Sequence, residues 1–532
     1  MSNFADLLIC DALIYDGSAA SPFRGELIVK NDKIMSLGAP GSLPREGVKE
    51  VFSAEGAILS PGFVDVHGHS DTPVLKVPTG DSKISQGVTS EVVGNCGFSE
   101  FVYSKEGNAL GDAPLDNCDG SFDSYCRRVE VARPALNIAA LCGHNSLRIK
   151  VMGYDDRKAA PAEIAEMKKL LQKALQQGAA GFSSGLWYIP GSFSDTEELK
   201  ELAGALRGTG KPYCTHMRDE GDTLLESLAE AIEIAKCGDG ILQVSHFKTL
   251  HPHNWGKQDA ALAMVEKARA EGLQVFADRY PYTYSSTSLR MAVPAPYDKI
   301  DSASLTKLLR ESSEERAKLT NLLETGSGKR DNWDKIILVI STAPEHARFY
   351  GKNMLEIAGE LSMSAAQACV KLLSEASPSA AFGSMSETNL RRFLAQPWLL
   401  AGSDGSIFAF TDGRTHPRAF GTFPRFFQLA RQEASIESVI CRMSALSARQ
   451  FQLCGRGRLA PGWFADLVIF NPEEYFSAAD YGNANAPCTG VKRVYVNGAL
   501  AYSPDGNLSR ERRGRMLRVS NNPAGRTRPA VC

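Results

Sequence analysis

The sequence lacks long apolar runs, closely paired cysteines and an excess of charge of either sign. No apolar run reaches the length needed to cross a membrane, and the first residues contain no basic segment typical of a secretory signal. Lysine plus arginine, 59 residues, almost balance aspartate plus glutamate, 61 residues, so no global field attracts nucleic acid or an anionic membrane. These absences predict a cytoplasmic protein whose partners are small molecules.

The cysteines do not form a disulfide framework. All 12 are scattered, no two are spaced as CxxC, and a chain of 532 residues can build a core without disulfides. We therefore expect reduced, buried thiols. Only Cys96, which lies between Asn95 and Gly97 at the end of an apolar run, has a context that suggests chemistry.

The middle of the chain alternates short apolar runs with longer segments of helical period, which predicts a parallel sheet with crossover helices. Eight strand candidates favour an α/β fold, a (β/α)8 TIM-like barrel, over an open doubly wound sheet, whose Gly-rich phosphate sequence is missing. A ninth apolar run, 336–340, does not fit an eight-strand closure, so 287–345 is predicted to be an insertion. The eight candidates are 57–66, 89–93, 135–142, 179–183, 212–215, 241–245, 273–277 and 398–402.

The two ends of the chain differ from the middle, because they contain short strands separated by turn residues such as Asn31-Asp32 and Asn497-Gly498. We predict that 1–56 and 455–518 together form one small β-sandwich domain. The barrel then comprises 57–286 and 346–454. The last residues, 519–532, are predicted to be a flexible tail, and the basic run RERRGR before them is typical of a solvated segment.

Residues able to carry chemistry follow the ends of several predicted strands. In SPGFVDVHGH, Asp65, His67 and His69 alternate, so the period of two points them to the same face. An isolated HxH pair is as often a pair of surface histidines. A parallel barrel, however, places its active site at the carboxyl ends of its strands, and four more residues close other candidates there: Cys96, His216, His246 and Asp404.

Imidazole and thiolate are ligands that suit zinc, whose catalytic sites use about three protein ligands and keep a position open for water. Cys96, His216 and His246 form such a set. Zinc lowers the pKa of its water towards about 7, and a neighbouring carboxylate can accept the proton as that water attacks a carbonyl. Asp404 is the candidate carboxylate, although an aspartate in SDG can also cap a helix. These residues predict a zinc-dependent hydrolase of small amides.

At these residues the sequence resembles the N-acyl-D-amino-acid deacylases, or D-aminoacylases, of the amidohydrolase superfamily. The resemblance spans nearly the whole chain, and it implies the barrel, a β-sandwich from both termini and an insertion that can act as a lid. The fourth strand, GAAGFSSG, has only serines where hydantoinases, dihydroorotases and ureases use a carboxylated lysine. The stretches that carry the resemblance are PGFVDVHGHSD, GNCGFS, GHNSLR, GFSSGLWYIPGSFSDTEEL, THMRDEGD, QVSHFK with NWGK, DRYPY, GSDG, HPRAFGTFPR and GRLAPGWFADLVIFNP.

The same resemblance implies a role for each site residue. Cys96, His216 and His246 would hold a tightly bound zinc, His67 and His69 a weaker or sometimes empty second metal position, and Asp404 would be the general acid/base. Lys248, Tyr188, Tyr282 and Arg418 match family positions that hold the free carboxylate of the substrate. The roles of two residues stay open. Arg290 either pairs with an acidic side chain of the substrate or lies at the surface, and His144 either bonds the substrate or is a satisfied buried histidine.

The leading hypothesis is hydrolysis of N-acyl-D-amino acids to a carboxylate and a D-amino acid, by metal-activated water with Asp404 as general acid/base. The alternatives are a dipeptidase of the same family that cleaves Xaa-D-Xaa dipeptides and a deacylase specific for N-acyl-D-glutamate or N-acyl-D-aspartate. A catalytically inactive barrel scaffold is the alternative from another class, and missing ligands would be its signature. The sequence leaves the number of metals and the oligomeric state open.

Overall fold

The structure is a computed structural model that describes residues 4–102, 119–326, 328–412, 415–506 and 511–521. Within these ranges the chain is a mixed α/β protein with several sheets, and none of its helices is long and apolar enough to cross a membrane. The strands are β1 Ala5–Ile14, β2 Phe23–Lys30, β3 Lys33–Gly38, β4 Val48–Ser53, β5 Ile58–Pro61, β6 Phe63–Asp65, β7 Val88–Val93, β8 Asn137–Ala140, β9 Cys142–Gly143, β10 Phe182–Gly185, β11 Tyr213–His216, β12 Ile241–Val244, β13 Gln274–Arg279, β14 Tyr284–Ser288, β15 Ile336–Ile340, β16 Ser379–Gly383, β17 Leu399–Ala401, β18 Leu467–Phe470, β19 Val491–Val496 and β20 Ala499–Tyr502. The α-helices are α1 Pro73–Lys76, α2 Asp81–Ile84, α3 Phe122–Ala132, α4 His144–Met152, α5 Pro161–Gln177, α6 Thr196–Ala203, α7 Leu224–Cys237, α8 Gln258–Ala270, α9 Ser302–Glu311, α10 Ser313–Glu324, α11 Met354–Leu361, α12 Ala365–Glu375, α13 Glu387–Leu394, α14 Arg418–Ala430, α15 Ile436–Met443 and α16 Ala445–Gln450.

Two parallel sheets contain the strands predicted for the barrel. One has the order β17-β13-β12-β11-β10-β9 and the other the order β6-β7-β8. Only Leu141 separates β8 from β9, and its amide donates to Val93 O while the next amide donates to Gly181 O. At the other end of the two sheets, the amide of Val66 donates to Ala401 O at 3.4 Å. The parallel strands alternate with helices, as the sequence pattern predicts.

The first predicted strand, 57–66, is wrong as one element, because the chain changes sheets at Gly62. β5 pairs with β1 and β18 in the terminal sheet, whereas β6 pairs with β7. A side chain at position 62 has no room, because a Cβ there would lie 2.2 Å from Thr89 Oγ1. The amide of Gly62 instead donates to Asp466 O at 2.8 Å. The segment 57–66 therefore covers two strands of different sheets, which meet at Ser60-Pro61-Gly62.

One eight-stranded sheet contains strands from both ends of the chain. Its order is β20-β19-β18-β5-β1-β2-β3, with β4 beside β1. One face buries a cluster that includes Ile9, Leu27, Leu467 and Tyr495, so the two termini share a hydrophobic core. The tight turns at Asn31 and Asn497 separate neighbouring strands, and both residues have the positive φ expected there.

In its described part, 511–521, the segment after β20 is docked on β8 through its backbone, although its arginine side chains are exposed. The amide of Ile138 in β8 donates to Arg515 O at 2.9 Å, and the amide of Leu517 donates to Ile138 O at 2.7 Å. Met516 and Val519 are buried, and Arg515 forms an ion pair with Asp32 at 2.8 Å. The charged side chains are thus solvated as predicted, while these backbone bonds and buried apolar side chains dock the segment. Residues 522–532 of the predicted tail lie outside the described residues.

A separate hydrophobic core supports the segment between β13 and α13. β14, β16 and β15 form an antiparallel sheet in that order. The ninth apolar run, which is β15, therefore lies outside the parallel sheets, as expected. Helices α9 to α12 pack on this sheet around a cluster that includes Leu305, Leu319, Trp333, Leu338 and Leu372.

Lys211 is a fully buried lysine just before β11, at the end of that strand opposite His216. Its Nζ donates to Leu175 O at 2.9 Å, and burial lowers its pKa to about 7. Because the unfolded chain holds this proton more tightly, the free energy of unfolding should rise as the pH increases from about 7 towards the unfolded pKa of about 10.4.

We predict that Lys211→Met is more stable than the wild-type protein at pH 7 and that this advantage shrinks at pH 8.5 and 10. Urea unfolding at the three pH values measures it, with the exposed Lys307→Met as control. A stability difference that does not change with pH would contradict the prediction.

Candidate metal centre

The structure brings together the six residues that the sequence places at strand ends. His67 and His69 follow β6, Cys96 follows β7, and His216 is the last residue of β11. His246 and Asp404 follow β12 and β17. Their possible ligand atoms fall into two groups, in each of which all atoms lie within 4.8 Å of one another: one of Cys96, His216 and His246, and one of His67, His69, Cys96 and Asp404. Cys96 belongs to both groups.

The thiol of Cys96 lies at the centre of these histidines. Its Sγ is 3.4 Å from His67 Nε2 and 3.6 Å from His246 Nε2. Burial alone would raise the pKa of Cys96, but the charge of His67 and hydrogen bonds with His216 and His246 hold it well below its usual value. The site therefore favours a thiolate, the form of cysteine that binds metals.

Three site residues have strained backbone conformations. Cys96, His246 and Asp404 have φ angles of 52°, 37° and 49°, a region that costs non-glycine residues about 1–3 kcal/mol each. Hydrogen bonds maintain two of these conformations, because the amide of Asp404 donates to His67 O at 2.7 Å and the amide of His246 donates to Asp278 Oδ1 at 2.8 Å. Such strain, held by surrounding bonds, is typical of functional sites.

Asp278, which the sequence analysis missed, orients two of the histidines. Its Oδ1 lies 2.9 Å from His67 Nδ1 and also accepts from the amide of His246, while its Oδ2 accepts from Gln243 Nε2 at 2.8 Å. With Nδ1 bound to this carboxylate, Nε2 of His67 faces Cys96. The sequence did contain a feature that could have identified it, because Asp278 is the first residue of the DRYPY motif, near the end of β13.

Glu220 is a second buried carboxylate that the sequence analysis missed. Its Oε1 lies 2.9 Å from His246 Nδ1 and accepts from Lys248 Nζ at 2.6 Å. Burial opposes its ionisation, but the charges of Lys248, His246 and His216 hold its pKa well below the usual range. Glu220 follows His216 by four residues in HMRDE, which is the signal that could have found it.

The carboxylate of Asp404 lies between two histidines and an arginine. Its Oδ1 is 3.0 Å from His69 Nε2 and 3.5 Å from His67 Nε2, and its Oδ2 accepts from Arg418 Nη1 at 2.6 Å. Burial would raise its pKa, but Arg418 and the histidines hold it well below the usual value, so the group is ionised. The guanidinium of Arg418 is thus already paired with Asp404.

A cavity of about 280 Å³ opens onto the site. Lys248 and Tyr188 line it, and the Tyr188 ring packs edge-on against His216 at 4.8 Å. Tyr280 lines it as well, and its buried hydroxyl has no hydrogen-bond partner among the described residues. The outer wall comes from the β14–β16 sheet and its neighbours, and includes Thr287, Met291, Arg330, Lys335 and Phe382.

Four predicted substrate residues are not among those that line the cavity: Arg418, which is paired with Asp404, and Tyr282, Arg290 and His144. The Tyr282 hydroxyl donates to Pro417 O at 3.4 Å, and Arg290 Nη1 donates to Asp298 O at 2.6 Å. His144 is buried, and its Nε2 lies 2.8 Å from Glu198 Oε1, while its Nδ1 has no hydrogen-bond partner among the described residues. In DRYPY the residue that faces the cavity is Tyr280, directly after β13, rather than Tyr282.

Comparison with known proteins agrees with this geometry. The model of the amidohydrolase family matches residues 50–502, which is most of the chain. The chain therefore belongs to the amidohydrolase family, a class of metal-dependent hydrolases, as the strand-end motifs indicated.

Within that family the chain is similar to three proteins along nearly its whole length. It is 32% identical to the N-acyl-D-glutamate deacylase of Alcaligenes xylosoxydans xylosoxydans, over 99% of both chains. It is also 32% identical to the D-aminoacylase of the same organism, over 93% of this chain and 94% of that one. The crystal structure of N-acyl-D-glutamate deacylase from Bordetella bronchiseptica, in complex with zinc and a phosphonate inhibitor, superposes with a TM-score of 0.81 at 32% identity, covering 97% of this chain and 99% of that chain.

Proposed function

We propose that this enzyme hydrolyses N-acyl-D-amino acids to a carboxylate and a D-amino acid. The observation that carries the proposal is the convergence of Cys96, His216 and His246 beside an ionised Asp404, at the base of a cavity sized for a small molecule. The similar proteins along the whole chain are deacylases of this kind. An inactive scaffold would have lost ligands, whereas all six residues are present and close together.

The donor set fits zinc. A thiolate and imidazoles are its usual ligands, and the ligand atoms of Cys96, His216 and His246 already lie within 4.8 Å of one another. Nδ1 of His216 is buried without a hydrogen-bond partner among the described residues, as expected for a nitrogen that is left for a metal. These three residues would hold the tightly bound zinc, and His67 and His69, with Asp404, a weaker second position. When bound, zinc supplies acidity to water and polarises the acyl carbonyl.

Asp404 moves the proton in this mechanism. Its ionised carboxylate accepts a proton from the attacking water and then donates that proton to the leaving amine, as a general acid/base does. His69 and Arg418 each bond one of its oxygens and so orient the carboxylate. Because Arg418 also favours the ionised form, Asp404 is ready to accept the proton at neutral pH.

Lys248, Tyr280 and Tyr188 bind the substrate carboxylate in this proposal. All three line the cavity, and the unpartnered hydroxyl of Tyr280 can donate to an anion. Lys248 supplies the positive charge, and Glu220 holds its ammonium at the base of the cavity. The outer wall from the insertion excludes water around the reacting amide.

The proposed architecture follows from the strand pairing. We propose that β6, β7, β8 with β9, β10, β11, β12, β13 and β17 close into a (β/α)8 barrel through the contact of Val66 with Ala401. The terminal strands form the β-sandwich, and 511–521 fastens it to the barrel. The insertion is wider than 287–345 and comprises 284–383, because β14 and β16 share its sheet.

Stereochemistry and metal dependence test this function. We expect release of free amine from N-acetyl-D-methionine, N-acetyl-D-glutamate or N-acetyl-D-aspartate and none above background from the L-enantiomers. Dialysis against a chelator should abolish the activity and zinc should restore it. Asp404→Asn should lose about 10²- to 10⁴-fold in kcat while it keeps its zinc. Equal rates on both enantiomers, or full activity after verified zinc removal, would refute the proposal.

The two tyrosines of DRYPY provide a matched pair. Tyr280→Phe removes a hydroxyl that faces the cavity, so we expect KM to rise about tenfold, the loss of one hydrogen bond to a charged group. Tyr282→Phe removes a hydroxyl that bonds Pro417 O, so KM should change less than twofold. Steady-state kinetics on the D-substrate with the highest kcat/KM measure both KM values. A larger rise of KM in Tyr282→Phe than in Tyr280→Phe would assign carboxylate binding to Tyr282.

A further inference from the structure

The ammonium of Lys83, in α2, is fully buried and contacts the two segments that contain His67 and Asp404. Its Nζ donates to Asp65 Oδ2 at 2.6 Å, to Ser403 Oγ at 2.6 Å and to Gly405 O at 3.1 Å. Glu91 Oε1 is also near, at 3.2 Å. An ammonium has three protons, so the first three bonds satisfy it fully.

These partners belong to the two segments that carry His67 and Asp404. Asp65 Oδ1 accepts from the amide of His67 at 3.2 Å and from the amide of Ser403 at 2.9 Å. Ser403 Oγ donates to His67 O at 3.3 Å and accepts from the amide of Gly405 at 3.1 Å. Residues 403 and 405, on either side of Asp404, are therefore both attached to Lys83.

Glu91 extends the same network to the segment after His69. Its Oε1 accepts from Ser70 Oγ at 2.6 Å, and Ser70 Oγ in turn accepts from the amide of Ile407 at 2.9 Å. The chain passes so close to Glu91 at Gly68 that a Cβ there would lie 1.7 Å from Oε1. The network thus joins the segment 65–70 to the segment 403–407.

Stability alone does not explain this cluster. Its three ionisable groups, Lys83, Asp65 and Glu91, have no exposure to solvent, and replacing a buried ion pair by well-packed apolar residues is often neutral or stabilising. Burial acts to lower the pKa of Lys83, but Asp65 and Glu91 outweigh it and raise that pKa, so the ammonium stays charged. Asp404 also has the strained φ of 49°, which the surrounding structure must maintain.

We propose that Lys83 is a positioning residue, whose ammonium holds the segments 65–67 and 403–405 together so that Asp404 keeps its bonds with His69 and Arg418. Lys83 does not line the cavity and does not contact substrate. The expected effect on kcat rests on the proposed function. The expected effect on the position of Asp404 does not, because a crystal structure can measure it without any substrate.

The kinetic test compares Lys83→Gln with Lys211→Met, which replaces a second fully buried lysine, at the end of β11 opposite the site. A displacement of about 1 Å at a reacting group can cost about 100-fold, so we expect kcat of Lys83→Gln to fall about 100-fold. KM should change less than threefold, zinc content and the folded fraction should stay as in the wild type, and Lys211→Met should keep its kcat. With kcat calculated per folded enzyme, a kcat within threefold of wild type, or a loss that only follows zinc content, would overturn the proposal.

Ser403→Ala removes one hydrogen bond from the Lys83 ammonium, which keeps its bonds with Asp65 and Gly405 O. Because no buried charge loses all its partners, this variant tests the positioning role even when Lys83→Gln does not fold. We expect kcat to fall about tenfold at unchanged KM, and an unchanged kcat would overturn the proposal. A crystal structure of the zinc-loaded variant gives a result that is independent of activity. Asp404 Oδ2 should move out of hydrogen-bond distance of Arg418 Nη1, and an unmoved carboxylate overturns the positioning role whatever substrate the wild-type enzyme hydrolyses.

Discussion

The candidate site depends on the hydrogen bonds of one buried carboxylate, that of Asp278. It hydrogen-bonds with the ring of His67, the backbone amide of His246 and the side-chain amide of Gln243, so it joins the ends of β6, β12 and β13. A buried carboxylate without such partners costs several kcal/mol, and the fold retains this one only because each oxygen is bonded. The orientation of His67 towards Cys96 and the strained φ of His246 both follow from these bonds.

Other buried charges complete the same arrangement around the metal ligands. Glu220 orients His246 and restrains Lys248, while Arg418 and His69 bond opposite oxygens of Asp404. Each carboxylate is therefore paired with a cation, and Glu220 also orients the metal ligand His246. This coupling explains why the site has many charges although almost none of them is exposed.

Much of the fold could be predicted from the sequence, because strands of a parallel sheet are buried on both faces and appear as short apolar runs between helical segments. The break at Gly62 did have a signal, because Pro61-Gly62 is a pair typical of turns, but apolar residues on both sides of it favoured one strand. The pairing of β14 with β16 was missed for a different reason: it joins residues about a hundred positions apart, and pairing over such a distance has no local signal. The docking of 511–521 depends on backbone bonds that charge composition does not show.

The convergence of the six candidate residues was predictable because strand ends of a parallel sheet meet at one edge. Asp278 and Glu220 were missed because their importance lies in what their side chains contact, and a carboxylate near a strand end is common. Tyr280 was missed in favour of Tyr282 because the chain leaves β13 between Arg279 and Tyr280, so the alternation of the strand no longer determines which ring faces the cavity.

In the proposed zinc site the protein ligands are the sulfur of Cys96 and the imidazoles of His216 and His246. X-ray absorption at the zinc edge of the protein loaded with one equivalent of zinc tests this ligand set most directly. We predict one sulfur at about 2.3 Å with nitrogens at about 2.0–2.1 Å, and loss of the sulfur in Cys96→Ala. A wild-type spectrum with only nitrogen and oxygen neighbours would contradict the account.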